Sequence, residues 1–186
     1  MKTGTLFLIP STLGETDPDK VLPAYNLQLM KQLDVFIVEE LRTARRFLRK
    51  CGYAKDFDQV VFHLLNEHTP DHELLSFLEQ VKAGYDTGLL SEAGCPAVAD
   101  PGSAVVKLAQ QMNIRVVPLS GPSSIILSLM ASGFNGQQFT FHGYLPVKEH
   151  DRIRKIKELE KDLFKTGQTH IFIEAPYRNR HMIESI

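Results

Sequence analysis

Carboxylates, amides, glycines and prolines collect at five places along the chain, each just after a short apolar run: Pro10 and Ser11, Glu39 and Glu40, Asn66 and Glu67, Glu92 to Pro96, and Gly121 to Ser124. Glutamates at such positions can accept a proton, and glycine lets backbone approach a ligand closely. The segment Ser91-Glu92-Ala93-Gly94-Cys95-Pro96-Ala97-Val98-Ala99-Asp100-Pro101-Gly102 packs two Gly/Pro turns into twelve residues. Its backbone donors and acceptors suit a flat group such as an adenosine. A phosphate cradle is the weaker reading, because the chain has neither a Walker loop nor a glycine-rich dinucleotide fingerprint. Singly, each segment reads as a turn or a solvated loop. Five together, all at strand ends, point to a site.

The remaining polar groups carry weaker signals. Asp100, before Pro101, reads first as the cap of the next helix, with a catalytic role second. Gly121-Pro122-Ser123-Ser124 opens an apolar helix, and its exposed amides reach a ligand only if this loop faces Ser91–Pro96. His63, His68 and His72 match no familiar ligand spacing, so no metal site is expected. Arg42, Arg45, Arg46, Arg49 and Lys50 recur at helical spacing after Glu39-Glu40. Such runs are usually solvated faces. The sharper reading is a phosphate-tracking patch, reinforced by Lys148, Arg152, Arg154, Lys155 and Lys157.

The elements that must position these groups follow from hydrophobic periodicity. Short apolar runs predict strands over Gly4–Ile9, Val35–Val38, Gln59–Phe62, Asp86–Leu90 and Arg115–Pro118. Helical spacing predicts helices over Leu22–Leu33, Glu40–Lys50, Asp71–Lys82 and Ser103–Met112. Strict alternation implies a doubly wound parallel α/β sheet with its ligand beyond the carboxyl ends of the strands. The character changes after this: a strand over Gln138–Tyr144, a charged helix over Glu149–Leu163 and a strand over Thr169–Glu174 are expected. We therefore divide the chain into an N-terminal α/β subdomain, 1–118, and a C-terminal α/β subdomain, 119–186, expected to be incomplete because two strands alone form a marginal sheet.

Composition agrees with an ordinary globular enzyme-sized domain: 186 residues, 43% hydrophobic and 23% charged. A net charge of -1, from 21 basic and 22 acidic residues, gives no chain-wide electrostatic grip on nucleic acid. Cys51 and Cys95 lack metal-type spacing, the N-terminus does not read as a signal peptide, and apolar runs fall short of a membrane span. A cytoplasmic location and no membrane partner are expected.

Five motifs occur in one order: Ser91 to Pro96, Asp100-Pro101-Gly102, Pro118-Leu119-Ser120-Gly121-Pro122-Ser123, Phe141-His142-Gly143-Tyr144-Leu145-Pro146-Val147-Lys148, and Ile173-Glu174-Ala175-Pro176-Tyr177-Arg178. Together they resemble the ribosomal RNA small-subunit methyltransferase I branch of the tetrapyrrole methylases. The resemblance implies two α/β subdomains that hold S-adenosylmethionine in a cleft, a homodimer, and a second sheet completed by residues beyond the position of Ile186. It also implies 2′-O-methylation of a ribose in small-subunit ribosomal RNA. By the family pattern Pro10, Glu92, Ala93, Gly94, Cys95, Pro96, Val98, Ser123, Ser124, Ile125, Ile173 and Glu174 are expected at the cofactor. Two loops depart from the branch. It normally has Thr-Pro-Ile-Gly-Asn where this chain has Ile9-Pro10-Ser11-Thr12-Leu13-Gly14, and Ala-Glu-Asp-Thr-Arg where this chain has Val38-Glu39-Glu40-Leu41-Arg42.

A sulfonium methyl is already electrophilic, so such an enzyme chiefly aligns donor and acceptor and removes the proton of a poorly nucleophilic hydroxyl. Glu39, Glu67 and Glu92 are the candidate bases, with Arg42 and Asn66 orienting phosphate or ribose. The competing readings are carbon methylation of a tetrapyrrole and a non-catalytic module that retains the fold and the cofactor.

Overall fold

The computed structural model describes residues 3–186, apart from the side chain of Asp71. The chain forms two compact units, one ending at Ser123 and one spanning Ser124–Ile186.

In the first unit, strands β1 (Thr5–Ile9), β2 (Val35–Val38), β3 (Val61–Leu64), β4 (Thr87–Leu90) and β5 (Arg115–Pro118) alternate with helices α1 (Pro18–Val21), α2 (Ala24–Met30), α3 (Leu41–Lys50), α4 (Asp71–Lys82) and α5 (Gly102–Gln111). The strands form one sheet in the order β3-β2-β4-β1-β5, and every pairing is parallel. Side chains alternate between its faces with the strand period of two. Leu6, Leu8, Ile37 and Leu89 pack under α4 and α5 with Leu74, Leu78, Val81, Val105 and Ala109. Ile9, Phe36, Val38 and Leu90 face the opposite way, onto Leu29, Met30, Ala44 and Leu48 of α2 and α3. The chain moves outward from β1 to β3 on one face and returns to β5 on the other, which is the doubly wound arrangement.

Several boundaries differ from the sequence-based expectation, each for a local reason. Pro23 cannot continue a helix, so the expected Leu22–Leu33 helix appears as α1 and the shorter α2. The third strand starts two residues late because Phe57–Gln59 forms a 3-10 turn and the Val60 amide donates to the Phe57 carbonyl. Asp86 stays out of β4 and accepts the amide of Thr5 at 2.7 Å.

The second unit holds α6 (Ser124–Ser132), β6 (Phe139–Tyr144), α7 (Glu149–Thr166), β7 (Thr169–Ile173) and α8 (Asn179–Ile183). Its two strands pair in parallel through α7. That helix runs past Leu163 until Gly167, left-handed at φ 69°, caps it through the Leu163 carbonyl. The small core is Leu145, Leu159 and Met182 with Ile156 and Phe172. His142 Nε2 lies 2.9 Å from His170 Nδ1 across the strands, and His170 Nε2 is 3.2 Å from Asp162 of α7, off the hydrogen-bond line.

Three of the basic side chains on α7 are occupied within the unit. Arg152 is buried, donating to Ser185 Oγ at 2.9 Å and to the Val147 carbonyl at 2.8 Å, while Arg154 pairs with Asp151 and Lys155 with Glu158.

Candidate active site

Parallel strands put all their carboxyl-terminal loops at one sheet edge, so the loops after β1, β4 and β5 become neighbours. The carbonyl of Gly94 is their junction. It accepts the Ser11 amide at 2.9 Å and the Ser91 hydroxyl at 2.8 Å. Gly94 sits at φ 75°, where a side chain is strained, and a Cβ there would lie 3.3 Å from the Pro122 carbonyl oxygen. At Gly121 a Cβ would stand 2.3 Å from Pro10 Cβ, so only glycine lets these two loops touch. The Cys95 thiol donates to the Pro122 carbonyl at 3.4 Å, and buried Asn26 reaches from α2 to the Ser120 carbonyl at 2.8 Å.

Beyond Gly94 the loop is held under strain. Ala97 and Ala99 both have positive φ, 65° and 54°, a conformation that disfavours an alanine. What holds them is Asp100, whose Oδ1 accepts the amides of Ala97 at 3.1 Å and Gly102 at 2.7 Å. The capping role expected of Asp100 is thus present, and a second one accompanies it. Its carboxyl also acts on that of Glu39, just after β2, while the Glu92 amide lies 3.4 Å from Glu39 Oε1. Partial burial, then the charge and hydrogen bond of Asp100, push the Glu39 carboxyl up to about 7. Glu92 is raised too, by burial and by Glu40. Glu40 goes the other way. It caps α3 through the amides of Arg42 at 2.9 Å and Thr43 at 2.6 Å, which hold its carboxyl below the usual range.

Against this geometry, the expected residues separate into groups. Pro10, Glu92, Ala93, Gly94, Cys95, Pro96 and Val98 lie on the joined loops, with Gly94 and Pro96 buried and Val98 exposed. Ser123 ends the first unit. Ser124 and Ile125 open α6, Ile173 ends β7, and Glu174 follows it. Within that second unit the Glu174 carboxylate holds Arg178 at 2.6 Å and accepts the Ala175 amide at 2.8 Å. Asn66 and Glu67 line a different cavity, of about 480 Å³, together with Asp100 and Ser103. There the Asn66 side chain accepts the His68 amide at 2.8 Å, and Glu67 lies exposed beside the His68 ring. The Arg42 side chain is exposed at the start of α3. Among the described residues, no group of three or more His, Cys, Asp or Glu side chains could hold a metal ion.

For two residues already named, the sequence did not show the surroundings. Asp100 is a partner of Glu39, a contact no local spacing encodes. Ser11 is 4% exposed, and its Oγ has no hydrogen-bond partner although it lines a cavity of about 220 Å³ with Thr43, Arg46 and Glu92. A buried hydroxyl left unpaired is a group awaiting one.

The parallel five-stranded sheet with its loop cluster defines a doubly wound α/β protein whose site lies at the carboxyl edge. No protein-family model matches the chain. It is 30% identical over all 186 residues to ribosomal RNA small subunit methyltransferase I of Pseudomonas aeruginosa, covering 61% of that protein. It is 31% identical to the protein of the same name from Bacillus subtilis, over 98% of this chain and 59% of the relative. A Micromonospora olivasterospora protein, also of that name, is 33% identical over 95% of this chain and 52% of its own length. Over nearly its whole length the chain is thus similar to proteins named ribosomal RNA small subunit methyltransferase I. It spans about three fifths of the length of the first of these relatives.

Proposed function

We propose that the chain carries the cofactor loop and proton-accepting group of an S-adenosylmethionine-dependent methyltransferase that 2′-O-methylates a ribose in small-subunit ribosomal RNA. The observation that carries this reading is the Gly94–Asp100 loop, strained at Ala97 and Ala99, held by Asp100 and set beside a Glu39 carboxyl raised to about 7.

The loops fit S-adenosylmethionine. Gly94 and Gly121 remove side-chain bulk where Pro10 and Pro122 converge, and Glu92 offers a carboxylate on the same loop as Gly94. Pro10, Glu92, Ala93, Gly94, Cys95, Pro96 and Val98 would hold the cofactor from the first unit. Ser123, Ser124, Ile125, Ile173 and Glu174 are the further contacts that the family pattern implies. When bound, the cofactor supplies an electrophilic methyl.

Glu39 takes the proton of the ribose 2′-hydroxyl. A carboxyl raised to about 7 is substantially ionised at neutral pH yet basic enough to accept it. Asp100, fixed by two amides, orients Glu39. Arg42 neutralises acceptor phosphate, and Asn66 and Glu67 flank the acceptor from the neighbouring cavity. A homodimer is supported by α6, whose Ile126, Leu127 and Met130 are exposed. Cytoplasmic action beside the ribosome is supported by two unpaired cysteines, and no helix among the described residues is long and apolar enough to cross a membrane.

The test is methyl transfer from radiolabelled S-adenosylmethionine to small ribosomal subunits lacking the modification. Label is expected in ribosomal RNA and, after alkaline hydrolysis, in a resistant dinucleotide, because a methylated 2′-oxygen cannot attack the adjoining phosphate. Label in mononucleotides would overturn ribose as the acceptor. Cofactor binding without label in any RNA would overturn the enzyme reading.

A further inference from the structure

The run of five cations on α3 looks uniform in the sequence but is divided in the fold. Arg45 and Arg49 turn back onto aromatic rings. The Arg45 guanidinium lies 5.3 Å from the centroids of both Phe57 and Phe62, and that of Arg49 lies 4.0 Å from Phe57. Arg49 also donates to the carbonyls of Tyr53 at 2.6 Å and Lys55 at 2.9 Å. Lys50 pins the loop after β1, donating to the carbonyls of Glu15 at 3.2 Å and Thr16 at 3.0 Å. Arg42 and Arg46 remain: both are exposed, and neither side chain makes a hydrogen bond or salt bridge among the described residues. Four positions apart, they share one helix face.

Arg46 stands at the rim of the 220 Å³ cavity that holds the unpaired Ser11 hydroxyl, and Glu92 lines the same cavity. Charge is divided around this cavity: the Arg46 guanidinium stands on its α3 side, and the Glu15 and Glu92 carboxyls line it from the loops after β1 and β4. A polyanionic backbone is attracted to the first and repelled by the second, which confines phosphate to the α3 rim and leaves the uncharged sugar to face the carboxyls.

Resting on the RNA reading above, we propose that Arg42 and Arg46 form the phosphate clamp for the acceptor strand, and that the cavity beneath Arg46 receives the sugar of the nucleotide so held, within reach of the Ser11 hydroxyl. Arg45 and Arg49 take no part in binding; they fasten α3 to the Phe57–Phe62 segment.

The probe is a fluorescein-labelled single-stranded RNA dodecamer titrated with the whole chain and followed by anisotropy at several salt concentrations. Each of R42A and R46A should reduce the slope of log affinity against log salt by about 0.7, the contribution of one phosphate contact on a single strand. R42K and R46K should restore that slope, since they keep the charge. R45A and R49A should leave it unchanged while lowering the Tm. Binding by the wild type with a slope that the R42A/R46A double variant does not alter overturns the clamp and leaves the RNA reading standing. No RNA binding by the wild type, with S-adenosylmethionine binding intact, overturns both. Loss of slope in R45A equal to that in R46A also overturns the division of labour.

Discussion

Glu39 is the residue on which geometry and chemistry meet most closely. As a base it must be ionised, so kcat/KM should rise with pH and level off above about 7, following the raised carboxyl. Glu39→Gln keeps the shape but cannot accept a proton, and methyl transfer should fall by about 10²–10⁴-fold while cofactor affinity holds. Unaltered turnover in that variant would dismiss Glu39 as the base. Stability makes an independent check. A carboxyl whose folded value is raised from 4.5 to about 7 keeps its proton longer in the native state than in the unfolded chain, so the native state loses stability as pH rises through that window. Thermal denaturation should accordingly find Glu39→Gln more stable than wild type at pH 8 and no more stable at pH 4. Glu40 carries the opposite sign. Its carboxyl is held low by the Arg42 and Thr43 amides, so Glu40→Ala should lower the Tm at pH 7, and the difference should shrink as acid protonates the wild-type cap.

At the scale of elements, the apolar runs and their alternation with helices carried the five strands of the first unit and their parallel sheet, because each depends on neighbours in sequence. Pro23 was equally readable as a helix breaker, yet it lay inside a convincing apolar period. The start of β3 depended on a 3-10 turn that leaves no periodic trace. The site divided along the same line. The Gly94 loop announces itself by composition, but the Glu39–Asp100 contact and the unpaired Ser11 hydroxyl arise only when loops from β1, β2 and β4 are laid side by side. The fate of the α3 arginines was hidden for the same reason, since Phe57 and Phe62 lie on a later segment. Where two loops meet, the fit can be tested directly. Gly121→Ala forces a methyl to within 2.3 Å of Pro10 Cβ, and overpacking of this kind costs about 1–3 kcal/mol. Thermal or urea denaturation should register that loss, and calorimetry should show weaker S-adenosylmethionine binding. A silent substitution would mean that the β1 and β5 loops are not locked together.

At the scale of the whole molecule, the second unit exposes apolar surface. None of the residues of α6 is buried, although its composition, Ser-Ile-Ile-Leu-Ser-Leu-Met-Ala-Ser, is that of a core helix. Met130 is 73% exposed and Phe134, just beyond the helix, 72%. Monomeric proteins seldom leave such a stripe in water, and the proposed two-fold interface would cover it by pairing the same patch from each copy. The net charge of -1 offers little repulsion between copies. Sedimentation velocity on the wild type should therefore find a dimer. Met130→Asp buries a carboxylate at the centre of the contact, for which no cation of α6 compensates, and should shift the chain to monomer without lowering the Tm of the first unit. If the wild type sediments as a monomer, or if Met130→Asp leaves the dimer intact, α6 is not the contact between copies.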